Sequence, residues 1–316
     1  MHTAAKRVLM LTCAIAVLFA IIAFAWQSPV LVLRRQGFEI YDAGVNHKMT
    51  LVDALWSSQR PKLVAYRGSM CLPKDVVTHG TLISLIQLDN ISVLDVDGMQ
   101  YDPDAFAGIS LPPSLKQAFF RNMRIDRALS TSLASANGVF EVALDNSDID
   151  DDVLLDICTL PNLTHLRVSR PRLNPVQFRH LRLCDGLRKL VVVGTKQFDD
   201  EIATGLGDQN NLRALVFEDT GVGDDTLEWV SQSARNLQLL NVSGTHCTTK
   251  GLMRLGDLNE LRDIQFWRNQ VDLNDLRKIS VGAGFARLER LAVAPLPKDG
   301  VAKFMIERNG RQVEFD

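Results

Sequence analysis

Apolar residues in this chain fall on a regular grid. Leu212, Leu215 and Phe217 form a Leu-x-x-Leu-x-apolar triplet, which returns at Leu237, Leu240, Val242 and at Leu261, Ile264, Phe266, after 25 and then 24 residues. Backwards, the grid continues through triplets that start at Leu187, Leu163, Val139, Leu115 and Ile91. Forwards it reaches Leu288, Leu291 and Val293, and it closes on Val313 and Phe315. Alternation over so short a run predicts a β-strand with one buried face, because successive side chains of a strand point to opposite faces. A period between 20 and 29 residues predicts that these strands stack in parallel as a solenoid, each unit covering its neighbour's apolar edge. The fourth and sixth positions of each triplet then point inward, while the residues two and four places after its start face the open side.

Polar positions carry a second, independent phase. Eleven residues after a triplet start stand Asp102, Asp126, Asp150, Asn174, Thr248 and Asp272. Their short oxygen-bearing side chains can accept from the free N–H groups at a helix start, so each is a candidate N-cap. Fifteen residues after the start come Leu154, Phe178, Ile202, Leu227, Leu252 and Leu276, which point inward. Each unit therefore reads strand, turn, helix, with Thr220–Leu227 and Thr245–Leu252 in equivalent places. Three places depart from the pattern: Ala118 replaces the second Leu of one unit, Pro171 replaces the Thr of another, and Leu111-Pro-Pro113 breaks a helix.

The N-terminal stretch is different in kind. Val8–Trp26 holds no charged residue over 19 positions, close to the twenty or so apolar residues that cross a bilayer. Lys6 and Arg7 precede it, and Ala23-Phe-Ala25 offers a small-x-small cleavage site. The run exceeds the 7 to 15 residues usual for a signal peptide, so the expectation is an uncleaved anchor, with a short inner tail and an exported solenoid. Val30–Leu33 and Phe38–Tyr41 are β-prone runs around a charged turn, and Phe38–Tyr41 is expected to open an N-terminal cap. The division that follows is a tail over 1–7, an anchor over 8–26, a juxtamembrane segment and cap over 27–80, repeats over 81–295, and a C-terminal cap helix and strand over 296–316.

On these motifs, from about Phe38 to Phe315, the chain resembles leucine-rich-repeat proteins, specifically bacterial membrane-anchored ones with units of about 24 residues. The resemblance implies a right-handed α/β solenoid with parallel strands on the concave face and helices on the convex face. It implies protein or ligand binding, and it supplies no shared catalytic residue.

Composition adds exclusions. Thirty-five Lys and Arg against 37 Asp and Glu give a net charge of −2, so no global field draws the protein to nucleic acid. No His-Glu-x-x-His, Gly-x-Ser-x-Gly, phosphate-loop or paired Cys-x-x-Cys signature occurs, so neither an enzyme, a metal nor a cofactor is expected. Asp148–Asp152 lacks the spaced oxygens and the glycine of a calcium loop. Asn90, Asn162 and Asn241 open glycosylation triplets, yet Asn90 and Asn162 share a phase with Asn211 and Asn236, so repeat grammar accounts for them. Cys247 falls at an inward phase as a buried free thiol. Cys158 and Cys184 lie on adjacent units, and whether they pair depends on Cα atoms coming within about 7 Å.

The candidate site lies where two lanes cross the open strand faces. One reads Glu141, His165, Lys189, Ala214, Leu239; the other reads Ala143, Arg167, Val191, Val216, Asn241. Exposed Val191, Val216 and Leu239 would form an apolar patch rimmed by His165, Arg167 and Lys189, the composition of a protein-binding surface. The alternatives are an envelope repeat protein with no discrete ligand and, third, an enzyme.

Overall fold

The computed structural model describes residues 29–35, 38–42, 47–48, 63–67, 76–77, 79–88, 91–102, 105–281, 285, 287–293, 306–308 and 311–313. Their framework is one twelve-stranded sheet. Its strands are β1 Phe38–Asp42, β2 His47–Lys48, β3 Leu63–Arg67, β4 Val93–Asp97, β5 Gln117–Arg121, β6 Glu141–Asp145, β7 His165–Ser169, β8 Lys189–Val193, β9 Ala214–Val216, β10 Leu239–Asn241, β11 Asp263–Gln265 and β12 Arg290–Ala292. From β3 to β12 each strand pairs in parallel with the next, in chain order. At the other end β1 runs antiparallel to both β3 and β2.

The apolar grid sets this register. Leu190, Leu215, Leu240, Ile264 and Leu291 are consecutive partners across β8 to β12, and all are buried. A slip of one residue would turn every one of them to the open face. The first and sixth triplet positions are buried alike from Ile91 and Val96 to Leu288 and Val293, and they join one continuous core.

The connecting segments close the far side of that core. Eight helices are described: α1 Pro29–Arg35, α2 His79–Ile86, α3 Arg127–Ala134, α4 Val153–Cys158, α5 Asp200–Thr204, α6 Asp224–Ser233, α7 Thr249–Leu252 and α8 Leu273–Val281. A 3₁₀ segment, Pro175–Leu183, fills the place of a helix between β7 and β8. Asp126 caps α3 by accepting from the Leu129 N–H at 2.8 Å, and Asn174, Thr248 and Asp272 accept from Val176, Gly251 and Asn274 in the same way. Asp150 does not cap. The helix of its unit starts only at Val153, which leaves Asp152 in the cap position, and the Asp150 carboxylate instead accepts from two N–H groups of Arg124 one unit away, at 3.0 and 2.6 Å. Asp102, expected as a cap, precedes a turn at 105–108 and not a helix.

A column of left-handed residues ends the strands: Gly98, Asn122, Asn146, Arg170, Gly194, Asp219, Gly244 and Arg268, with φ between 45° and 71°. The turn aims each N–H at the next unit, as where Asn122 donates to the Asp145 carbonyl at 3.0 Å and Arg170 to that of Val193 at 2.7 Å. At Gly194 a Cβ would also meet the Arg170 stem at 2.5 Å, so a side chain there would be crowded as well as left-handed. A second ladder uses asparagine: Asn162, Asn211 and Asn236 donate to the carbonyls of Asn137, Asp185 and Asn210 in the preceding unit. Their phase belongs to the repeat.

Three expectations change at the ends. Val30–Leu33 lies in α1 and not in a strand; Val30, Leu31 and Leu33 are buried, so packing overrides the β-propensity of the run. Within the expected cap, β3 already pairs in parallel with β4, so the solenoid begins one strand earlier than the triplets imply. Val313 does not extend the sheet but pairs antiparallel with Ile306 in a separate hairpin, Ile306–Arg308 with Arg311–Val313. Among the described residues no helix is long and apolar enough to cross a membrane. The expected anchor, Val8–Trp26, lies outside them, as does Phe315.

Candidate binding hollow on the open face

The open face of the sheet is built from the second and fourth residues after each triplet start, and from a third lane two places further on. Where β5 to β8 run side by side these lanes enclose a hollow of about 350 Å³ lined by Phe119, Arg121, Glu141, Ala143, Asp145, His165, Arg167, Lys189 and Val191, with Val142 and Leu166 beneath. Its depth has a simple cause. Ala143, the smallest residue of its lane here, pairs with Phe119 on one side and Arg167 on the other, so the floor drops between two large neighbours.

Charges around the hollow are mostly fixed by ion pairs. Arg121 holds Asp95 at 2.6 Å and reaches Asp97 at 3.7 Å. Arg167 donates through Nε to Asp145 at 2.8 Å, and Glu141 accepts from the Gln117 amide. His165 is positioned by Thr164, whose hydroxyl lies 2.8 Å from Nδ1, and by the edge-on ring of Phe140. Lys189 makes no ion pair or side-chain hydrogen bond among the described residues.

Four of the six residues expected at the site, His165, Arg167, Lys189 and Val191, thus line one hollow. Val216 and Leu239 lie beyond it on β9 and β10. The expected exposed apolar patch is corrected: Val191 is only 4% exposed, and Val216 and Leu239 are half-buried. Neighbours at β-sheet spacing on both sides leave a short branched side chain little open surface. Phe119, Arg121 and Asp145 were missed. Carrying the lanes one unit earlier finds Phe119, and adding the third lane finds Arg121 and Asp145.

The remaining reactive groups sit in the core or on the helix side. Cys158 and Cys184 form a disulfide, their Cα atoms 4.8 Å apart, which ties α4 to the end of the 3₁₀ segment. Cys247 is a buried free thiol whose pKa is pushed up to about 12, chiefly by desolvation. Burial likewise raises that of Tyr101, whose hydroxyl donates to the Arg124 carbonyl and accepts from the Asp126 N–H. The acids of Asp148–Asp152 are spread over separate partners: Asp150 on Arg124, Asp151 on Gln177, Asp152 on Arg127. Among the described residues no group of three or more His, Cys, Asp or Glu is placed to hold a metal ion.

No family model matches the chain, and no curated protein matches it. Among solved structures, TLR13 in its ssRNA13 complex is similar at 18% identity over 70% of this chain and 30% of the receptor chain, with a TM-score of 0.45. Internalin C2 from Listeria monocytogenes str. 4b F2365 is similar at 16% identity over 70% of this chain and 78% of that one, with a TM-score of 0.39. The chain thus spans less than a third of the receptor chain. Its own strand register and burial periodicity are what establish the architecture, that of a leucine-rich-repeat solenoid.

Proposed function

We propose that this protein is a binding module that presents the open face of its sheet to another protein. The observation that carries the reading is the hollow over β5 to β8, where apolar walls and charged groups meet on a face that no described helix covers. A rigid sheet suits this role, because side chains set at fixed spacing on regular strands lose little freedom on binding. We further propose that the module is tethered to a membrane by Val8–Trp26 and that its repeats lie outside the cytoplasm. The uncharged run supports the tether, and the Cys158–Cys184 disulfide suits an oxidising compartment. Since α1 buries Leu33 completely, a soluble form should begin at Pro29 and not later.

The test is a charge reversal on the open face. Arg167→Glu with Val216→Asp, shown by circular dichroism to be folded, should lose the partner that the unaltered protein captures from its native membranes. Full retention by the folded double variant would move binding elsewhere.

A further inference from the structure

We propose that the hollow is a carboxylate pocket: it takes the side chain of one Asp or Glu from an extended segment of a partner protein, held between Arg167 and Lys189. This deepens the binding role proposed above and rests on it.

The cations of the hollow differ in what they already hold. Arg121 is committed to Asp95 and Asp97. Arg167 is held through Nε alone, so its two terminal nitrogens keep N–H donors without a partner among the described residues. Lys189 keeps all of its donors. His165 pairs with Lys189 and Arg167 with Val191 in the β7–β8 register, which sets Arg167 and Lys189 as diagonal neighbours across two strands. A guanidinium fixed along one edge by Asp145, with its other edge free, is preorganised to meet a carboxylate, and charge-assisted bonds of this kind are the strong ones.

Charge and size narrow the ligand. With Arg121 held by Asp95 and Asp97, the lining sets Arg167 and Lys189 against Glu141 and Asp145, so the smallest negative charge, a single carboxylate, suits it best. A phosphate group, at about −1.5 to −2, would leave an excess of negative charge beside Glu141 and Asp145. The volume, about 350 Å³, equals roughly twelve waters at their liquid volume. That is room for an acidic side chain and part of an apolar neighbour, which Phe119 and Val191 would contact.

The full-length protein in detergent micelles is offered a random-peptide display library. Enriched peptides are then resynthesised with Gln or Asn, phosphoserine, or Lys at each acidic position. The expected result is enrichment of peptides with an acid near an apolar residue, and a loss of about tenfold to a hundredfold on neutral replacement, the size of a lost charged hydrogen bond. Lys189→Met, an exposed change that spares the core, should cause the same loss, and Lys189→Arg should restore most of the binding. The proposal is overturned if enriched peptides lack acids, if Gln or phosphoserine binds as well as Glu, if Lys189→Met binds normally, or if nothing is enriched over empty micelles. Peptides lost with Arg167→Glu and Val216→Asp but indifferent to Glu→Gln would overturn the carboxylate pocket and leave the open-face reading standing. Peptides indifferent to both changes would sink both.

Discussion

Asp200 should be worth more to stability than its half-buried position suggests, because it caps a helix that is not its own. It lies in the first turn of α5, yet its carboxylate accepts from the Gly223 N–H at 2.7 Å, from the Thr226 N–H at 3.0 Å and from the Thr226 hydroxyl. Gly223 is the residue before α6 and has no side chain with which to cap it. Thr226 is fully buried, at 0% exposure. Asp200→Ala removes a cap worth about 1 kcal/mol and strands a buried hydroxyl, at about 1 to 3 kcal/mol. Water at the half-open carboxylate site would recover part of this, so the expected loss is about 2 to 3 kcal/mol. The control is Asp225→Ala, which removes an exposed acid from the first turn of the same helix and should stay within about 0.5 kcal/mol, apart from a small dipole effect. Denaturant unfolding followed by circular dichroism gives both values, and hydrogen exchange should show α6 losing protection before β4, since a repeat protein loosens locally. A cycle with Thr226→Val should show coupling of about 1 kcal/mol. An Asp200→Ala variant no less stable than Asp225→Ala would refute the cross-unit cap.

Further outcomes follow from the core and the sulfurs. Leu240→Ala, at a fully buried position, should cost about 2 to 5 kcal/mol, and an unchanged denaturation midpoint would contradict its inward placement. Replacing both Cys158 and Cys184 by Ser opens a loop with a sequence separation of 26 and should cost about 3.5 kcal/mol on the chain-entropy relation; equal midpoints with and without reductant would argue that no bond forms. Cys247 keeps its proton in the folded state to about pH 12, whereas the unfolded thiol ionises near 8.5. Its contribution to stability is therefore full below about pH 8.5 and is lost as pH rises towards 12. At pH 8 a thiol reagent should label it only on unfolding, and rapid labelling of the native protein would show the site to be open.

What the sequence disclosed, and what it hid, divides by the range of the forces involved. Leu215, Leu240 and Ile264 were legible because every unit must bury the same positions, and a burial requirement repeated at fixed spacing leaves a period. Asp126, Asn174, Thr248 and Asp272 were legible because capping is settled within three residues. Asp150 was not, because its helix starts two residues later than the count places it, at Val153, and its partner Arg124 lies one unit away in space. The same holds for Val30–Leu33, whose helix is fixed by burial against later residues. The left-handed column was hidden for another reason: its positions share a backbone shape but no single residue type, being held by Gly, Asn, Asp and Arg in turn. At the site, counting along strands placed His165, Arg167 and Lys189 on the open face. The hollow itself comes from the contrast of Ala143 with Phe119 and Arg167, which emerges only once register sets them side by side.

The most direct test of the binding role is site-specific photo-cross-linking in intact cells. A photoreactive phenylalanine analogue would replace Val216 on the open face in one variant and exposed Met253 on the helix side in another. The account predicts one discrete cross-linked protein from position 216, absent from position 253 and lost when Arg167→Glu is added. Adducts from position 253 alone, or the same adduct with and without Arg167→Glu, would contradict it.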